Sequence, residues 1–246
     1  MKVTVENNIK IINLGEKGPN LLSVELQKKI IEEFNPNNCK AIIFKGNNKI
    51  FSAGLNLKHL MSSDKEGVKE IFEIFGTLLQ TIRKFPGPVI SIVSGHAIAG
   101  GCLLALACDY RYGMFGLHRM GLNEMALGLD LPKPILDIIT HNINRNHLFE
   151  VSTQCKLYSP RMAFDRGLIN EYISNPFIGK KLATKSALKK AINLSNFYIQ
   201  AGEPFSRLKK SLLDGTEFNS ELLVENWFNK TTQKKISSIL EKLSNK

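Results

Sequence analysis

The sequence predicts an α/β fold, in which buried strands alternate with helices. Apolar runs at residues 41–44 and at Val89–Val93 are bounded by polar residues, a pattern typical of buried strands. Between these runs, residues 68–84 carry apolar side chains at helical spacing and end just before a Pro-Gly-Pro turn. Strands joined through helices argue for an α/β core.

The N-terminal segment predicts a hairpin followed by a helix. Residues 3–5 and 9–14 flank Asn7-Asn8, a pair that suits the tight turn of a hairpin. Ser23 precedes apolar residues at helical spacing, so we expect its side chain to cap that helix. With 246 residues and 43% hydrophobic content, the chain is long enough for one sizeable core.

We divide the chain into a core domain, residues 1–175, and a helical C-terminal region, residues 176–246. Within the second part, residues 218–228 and 236–243 are amphipathic. Apolar helix faces of that size need a partner surface. We therefore expect the C-terminal region to cover either the core or a neighbouring subunit.

The sequence contains no feature of a membrane or metal-binding protein. It has no apolar run of 18 residues, so a transmembrane helix is not expected. The first residues alternate as in a strand and do not resemble a signal peptide. The four cysteines form no CxxC pair and show no zinc-like spacing, which favours reduced thiols in a cytoplasmic protein.

The formal net charge of +11 predicts an anionic partner. Lysines are densest at residues 180–190, where helical spacing spreads them around the circumference instead of along one stripe. Few aromatic residues lie among them, so no platform for stacking bases is evident. Of the anionic candidates, which are nucleic acid, an anionic membrane and a phosphorylated small molecule, nucleic acid is therefore a weak option.

Two glycine turns follow predicted strands. Ser52-Ala53-Gly54 comes after the strand at residues 41–44, and its small residues permit a sharp turn and close approach of a ligand to the backbone. Gly100-Gly101 lies between Val89–Val93 and an apolar stretch that predicts a helix. Neither segment matches a dinucleotide-binding fingerprint or a phosphate-binding loop.

In order and spacing, these segments resemble the crotonase family, also called the enoyl-CoA hydratase/isomerase superfamily. The resemblance is carried by Phe51-Ser52-Ala53-Gly54-Leu55-Asn56-Leu57, Gly95-His96-Ala97-Ile98-Ala99-Gly100-Gly101-Cys102, Ala105-Leu106-Ala107-Cys108-Asp109-Tyr110-Arg111, Gly121-Leu122-Asn123-Glu124, and Ser159-Pro160 with Ala163 and Gly167-Leu168-Ile169. It implies a core of repeated ββα units, assembly as a homotrimer or a dimer of trimers, and an acyl-CoA thioester as substrate. It implies no cofactor beyond the coenzyme A of the substrate.

The resemblance also implies roles for individual residues. The backbone N–H groups of Ala53 and Gly100 correspond to an oxyanion hole, which stabilises negative charge on the thioester oxygen. The substrate-binding residues implied by the same motifs are Ser52, Gly54, Leu55, Asn56, Leu57, Gly101 and Leu103. Asn56 stands where the family more often has aspartate, and Lys58 is a candidate contact for the phosphates of coenzyme A.

The carboxylates favour isomerisation over hydration. Hydratases of this family use two glutamates, and the position of the first is occupied here by Leu103. The second is Glu124, within a Gly-Leu-Asn-Glu run that resembles the isomerase branch. One base is enough to shift a double bond, whereas syn addition of water needs two groups. Asp130, six residues further on, is a candidate second carboxylate.

Three functions therefore remain open at this stage. The first is a Δ3-Δ2-enoyl-CoA isomerase with Glu124 as its base, and the second is an enoyl-CoA hydratase or another crotonase reaction with an unconventional second group. The third is a non-catalytic protein that binds acyl-CoA or RNA.

Asp109 is expected to be a structural hydrogen-bond partner, and His96 and His118 to be histidines of the core or rim. Leu131-Pro132-Lys133-Pro134 replaces the Gly-Gly-Thr loop common in hydratases, so acyl chain length cannot be carried over.

Overall fold

A computed structural model of the protein describes residues 1–174 and 179–214, together with residues 230 and 234. Its strands are β1 (Lys2–Glu6), β2 (Ile9–Asn13), β3 (Ala41–Lys45), β4 (Ile50–Ser52), β5 (Val89–Val93), β6 (His96–Ile98), β7 (Tyr110–Met114), β8 (Met120–Gly121) and β9 (Glu171–Ile173). Its helices are α1 (Val24–Glu32), α2 (Leu57–Ser62), α3 (Lys65–Lys84), α4 (Gly100–Leu106), α5 (Lys133–Asn142), α6 (Leu148–Thr153), α7 (Pro160–Asp165), α8 (Gly179–Ala201) and α9 (Glu203–Asp214). The predicted α/β class is confirmed.

The larger sheet has six strands in the order β1-β2-β3-β5-β7-β9. Only β1 pairs antiparallel with its neighbour, and the other pairs are parallel. The predicted hairpin is confirmed, since Asn7 and Asn8 adopt left-handed φ values of 49° and 64° between β1 and β2. The predicted cap is also confirmed, because the Ser23 side chain accepts a hydrogen bond from the N–H of Leu26 at the start of α1.

A second, smaller sheet consists of β4, β6 and β8, all parallel. Ser52 pairs with Ala97, and Ile98 pairs with Gly121. Parallel strands present their carboxyl ends at the same edge of a sheet. The segments that follow these three strands, and that carry the glycine turns and Glu124, therefore emerge side by side.

The helical C-terminal region is present, and its first helix packs on the larger sheet. α8 buries Ala183, Ala187 and Ala191 completely, at a spacing that places them on one face. They pack with strand residues such as Ile43 and Ile90. Small side chains let the helix approach the sheet closely, so this face is closed without bulky apolar residues.

The described chain separates into compact units at residue 209. The first is Met1–Lys209 and the second is Lys210–Lys246, of which residues 210–214 continue α9. The amphipathic segments predicted at residues 218–228 and 236–243 lie outside the described residues. The domain division proposed between residues 175 and 176 stays a prediction. No helix in the described part of the chain has the length and hydropathy needed to cross a membrane.

A buried ion pair joins Lys209 of α9 to Asp109, which directly precedes β7. The Asp109 carboxylate accepts hydrogen bonds of 2.7 Å from the Val89 N–H and of 2.7 Å from the Lys209 ammonium. The Lys209 side chain is 7% exposed, and it also donates to the carbonyl of Gly87. Asp109 thus ties a helix to the start of β5, which confirms its predicted structural role.

Replacing Lys209 with Met should destabilise the protein strongly. The substitution keeps the bulk of the side chain but leaves the Asp109 carboxylate buried without its counter-charge. Losing one partner of a buried pair costs about 3–5 kcal/mol, so we expect a loss of that size in the free energy of unfolding, measured by urea denaturation.

The matched control is Lys69→Met, in an exposed pair with Glu73, which should change stability little. In the Asp109→Asn/Lys209→Met double variant, part of the lost stability should return because no buried charge remains. Equal stabilities for the two single variants would contradict this account.

Candidate active site

The three segments that leave the small sheet line one cavity of about 680 Å³. Seven of the sequence-predicted site residues contribute to its wall: Ala53, Leu55, Leu57, Gly100, Leu103, Glu124 and Asp130. Helix α3 closes one side with a row that includes Phe72, Phe75 and Leu79, and α5 closes another with Ile135 and Ile138. The cavity is mainly apolar with a few polar groups, the usual character of a small-molecule site.

Ser52 and Gly54 shape the first glycine turn from beneath and do not line the cavity. The buried Ser52 hydroxyl donates to the carbonyl of Asn20 over 2.8 Å and accepts from the Gly54 N–H over 3.1 Å. Gly54 has a φ of +87°, and a Cβ there would lie 2.9 Å from the Ile98 carbonyl oxygen. The turn therefore requires glycine at this position for both conformation and space.

The structure does not support Ala53 as an oxyanion donor. The Ala53 N–H already donates to the carbonyl of Pro19 over 3.0 Å, so this N–H is not free for a ligand. The N–H of Leu55 has no acceptor among the described residues, and neither does that of Gly100. A Cβ built on Gly100 would lie 3.5 Å from the Leu55 nitrogen. Leu55 and Gly100 therefore present two adjacent N–H groups that no described residue occupies.

The second turn is strained at the residue before Gly100. Ala99 has φ 51° and ψ −125°, a backbone conformation that residues with a Cβ rarely adopt. Its N–H donates to the Gly121 carbonyl over 3.0 Å, which holds the turn against β8. Gly101 lies on the opposite side from the cavity, where a Cβ would stand 2.2 Å from the Ser52 carbonyl oxygen. Gly101 thus allows the two backbone segments to pack closely. It does not line the cavity, so the structure does not support the predicted contact with substrate.

Glu124 is placed by β8 and by a short 3-10 helix, Glu124–Leu127, which ends at Gly128 in the left-handed conformation. The Glu124 side chain is buried at 9% exposure. Its Oε2 accepts from the Asn123 N–H over 2.9 Å, and its buried Oε1 has no partner among the described residues. Burial raises the pKa of Glu124, and hydrogen bonds from backbone N–H groups oppose that rise.

The other predicted carboxylate has a different environment. Asp130 lines the same cavity but is exposed, and Leu103, at the position of the missing glutamate, is buried at 1% exposure. Among the described residues of the cavity wall, Glu124 is thus the one buried carboxylate. This asymmetry provides one desolvated base in the cavity wall, since Asp130 is exposed and the third carboxylate, Asp137, pairs with Lys133.

The remaining candidates lie around the cavity and not in it. The Asn56 side chain caps α2 by accepting from the His59 N–H, as its residue type allows. Lys58 is exposed on α2 and does not line the cavity. His96 accepts from the Arg119 N–H, and burial lowers the pKa of His118 to about 4. Among the described residues, no cluster of His, Cys, Asp or Glu could hold a metal ion.

A second cavity, of about 870 Å³, is strongly basic. Its wall includes Lys17, Lys45, Lys49, Lys181 and Lys185, with Glu16 as the acidic member. Pro19, which accepts the Ala53 N–H, lies in this wall, so the basic cavity adjoins the first glycine turn. The sequence had drawn attention to Lys58, whereas the folded chain gathers lysines from three distant segments.

Comparison with known proteins gives a consistent result. A family model described as enoyl-CoA hydratase/isomerase matches residues 4–246. The enoyl-CoA hydratase domain-containing protein 3 of Xenopus laevis, a mitochondrial protein, is 28% identical over 88% of this chain and 74% of its own. The mitochondrial enoyl-CoA delta isomerase 1 of Mus musculus is 26% identical over 80% of this chain and 68% of its own.

Solved structures show the same fold. An enoyl-CoA hydratase/carnithine racemase from Magnetospirillum magneticum superposes with a TM-score of 0.82 at 18% identity, over 98% of this chain and 92% of its own. The human enoyl-Coenzyme A hydratase domain-containing protein 3 gives a TM-score of 0.77 at 23% identity, over 98% and 97% of the two chains. At these identities the likeness establishes the crotonase fold alone, which confirms the predicted ββα architecture.

The two adjacent glycines should respond differently to alanine. Gly101→Ala places a Cβ within 2.2 Å of rigid backbone, so we expect a marked fall in the melting temperature. Gly100→Ala brings a Cβ within 3.2 Å of Cζ of Phe75, a side-chain atom that is able to shift, so the variant should fold. Thermal denaturation of both variants checks the assignment, which a larger loss for Gly100→Ala would contradict.

Proposed function

The chain belongs to the enoyl-CoA hydratase/isomerase family, and from that premise we propose that it is a Δ3-Δ2-enoyl-CoA isomerase with Glu124 as its single base. The observation that carries the proposal is the asymmetry of the carboxylates. Glu124 is buried in the cavity wall with an unpartnered oxygen, whereas leucine occupies position 103. Membership of the family itself supports an enzyme that acts on acyl-CoA thioesters.

In the proposed reaction, the thioester oxygen accepts hydrogen bonds from the N–H groups of Leu55 and Gly100. Glu124 removes a proton from C2 of a 3-enoyl thioester, and the electron pair of that C–H bond delocalises into an enolate. The two amides stabilise the charge that develops on the oxygen. The protonated Glu124 then returns the proton to C4, which leaves the double bond between C2 and C3 and restores the carboxylate.

The environment of Glu124 suits this role. A carboxylate with a raised pKa is a stronger base near neutral pH, and it also returns its proton readily. The unpartnered Oε1 is available to the substrate, while Oε2 is held by the Asn123 N–H, which fixes the orientation of the carboxylate. One oxygen is thus oriented and the other is free to shuttle the proton.

The basic cavity supports the choice of a polyanionic carrier. Coenzyme A carries phosphates, and five lysines beside the first glycine turn would raise its local concentration. The proposal therefore assigns the phosphates to the side of Lys17 and Lys49. Assembly as a trimer or a dimer of trimers and a cytoplasmic location stay predictions from the sequence.

Hydration is the second candidate, because Asp130 lines the same cavity as Glu124. In that reading Asp130 would help to activate the water that adds to a 2-enoyl thioester. Asp130 is exposed, which is less favourable for this task. Water solvates its carboxylate, so burial does not strengthen it as a base and no described neighbour holds it in one orientation.

Replacing Glu124 with Gln should abolish isomerisation and leave binding intact. The amide keeps the shape of the side chain but cannot accept the C2 proton, so kcat for a 3-enoyl-CoA should fall by at least about 10²-fold. The Kd for a saturated acyl-CoA, measured by calorimetry, should change little. Retained turnover would exclude Glu124 as the base, and absence of acyl-CoA binding by the native protein would exclude the proposal as a whole.

The pH dependence of the native enzyme offers an independent check. The base must be ionised, so kcat/KM should fall as the pH drops through the pKa of Glu124 in the free enzyme. Because burial raises that pKa, the midpoint should lie above the ordinary glutamate value of 4.5. A midpoint at or below this value would show that Glu124 is not desolvated as described.

Hydration of a 2-enoyl-CoA by the native enzyme should be slow compared with isomerisation. Leu103→Glu adds a second carboxylate to the cavity wall and should raise hydration, although burying its charge costs several kcal/mol of stability. Leu103→Gln, which has nearly the same shape without the charge, is the matched control and should not. Fast hydration by the native enzyme would instead favour the pairing of Glu124 with Asp130.

A further inference from the structure

The cavity does not end in apolar residues at the far end of α3. One face of this helix runs along the wall through Phe72, Phe75, Gly76, Leu79, Gln80 and Arg83, at helical spacing. Opposite its end, Pro134, Asp137 and Ile138 of α5 complete the wall. A cavity that begins at two free amides thus terminates beside a guanidinium group.

The Arg83 side chain makes no salt bridge or hydrogen bond to any residue in the described part of the chain. Its side chain is partly buried, and burial lowers its pKa, while Asp137 and Asp109 act in the opposite direction. Both acids have cations of their own, since Asp137 pairs with Lys133 and Asp109 with Lys209. Among the described residues, none therefore uses the N–H donors of this guanidinium group at the cavity wall.

From this placement we propose that the acyl pocket accepts acyl groups whose far end carries a carboxylate, and that Arg83 binds that carboxylate. The inference rests on the proposed function, because it assumes that the thioester lies at Leu55 and Gly100. A planar guanidinium binds a carboxylate through two parallel hydrogen bonds, and partial burial strengthens them. A methyl terminus would leave the cation without a partner.

The helix also sets the length of the acyl group. A Cβ on Gly100 would lie 3.2 Å from Cζ of Phe75, so the reaction centre is level with Phe75. Arg83 is eight residues further along α3, which is about 12 Å along the helix axis. A hydrogen bond between the carboxylate and the guanidinium spans about 3 Å of this gap, which leaves about 9 Å for the acyl chain. Because an extended chain advances about 1.2 Å per bond, the best fit is an acyl group of roughly six to eight carbons.

The test compares saturated thioesters, which bind but have no double bond to move. Calorimetry on the native protein would use hexanedioyl-CoA and octanedioyl-CoA against hexanoyl-CoA and octanoyl-CoA, with free coenzyme A as a third arm. We expect the Kd of each thioester with a terminal carboxylate to be at least about 10-fold lower than that of the thioester of equal length with a methyl end. This factor is the scale of one charge-assisted hydrogen bond. Equal Kd values within both pairs would overturn the inference.

Variants identify the residue responsible. Arg83→Met should remove the preference and leave hexanoyl-CoA binding nearly unchanged, and Arg83→Lys should restore only part of it because an ammonium lacks the planar fork. Lys84→Met is the matched control, since Lys84 also lines the cavity but is exposed, and it should retain the preference. A preference that survives Arg83→Met would overturn the inference.

The three arms separate this inference from the proposed function. If Arg83→Met weakens binding of free coenzyme A as much as that of hexanedioyl-CoA, Arg83 contacts the carrier and the inference fails. If hexanoyl-CoA and hexanedioyl-CoA bind with the same Kd, the inference fails and the proposed function stands. If no thioester and no free coenzyme A binds to the native protein, both fail.

Discussion

The site depends on the parallel pairing of three short strands, β4, β6 and β8. Each is only two or three residues long, yet the register that joins Ser52 to Ala97 and Ile98 to Gly121 brings three distant segments to one edge. The first free amide, the second free amide and the buried carboxylate each follow one of these strands. Because backbone hydrogen bonds fix the strands, the two amides are held by the backbone alone, and the Glu124 carboxylate is oriented by the Asn123 N–H.

Close backbone contact is the second condition. Gly101 approaches the Ser52 carbonyl, Gly54 approaches the Ile98 carbonyl, and Ala99 is held in a strained conformation between them. Strain of this kind persists where the surroundings over-determine the backbone, and it often marks a functional turn. Here it starts α4 so that the N–H of Gly100 has no internal acceptor. The free donors of the site are thus a product of packing beneath it.

The cavity combines this rigid floor with walls from two helices. The apolar face of α3 packs against the core and also lines the cavity. The same helix therefore contributes both to stability and to the shape of the cavity. Leu55, Gly100 and Glu124 line this cavity together with Arg83, which lies near the C-terminal end of α3. Part of the net positive charge of the chain is concentrated in the basic cavity, to which the segments around Lys17 and Lys49 and helix α8 contribute lysines.

The sequence by itself determined the fold class, the hairpin, the cap at Ser23 and the position of Glu124, because periodicity, turn chemistry and ordered motifs are local signals. The resemblance to the family also implied that Leu103 stands where hydratases carry a glutamate. Only the tertiary structure decided that the Ala53 N–H donates to Pro19 and that the Leu55 N–H has no acceptor among the described residues, since a hydrogen bond over 34 residues leaves no mark in local sequence. Likewise, only the folded chain places Arg83 in the cavity wall, because burial and contacts between distant elements are properties of the three-dimensional structure.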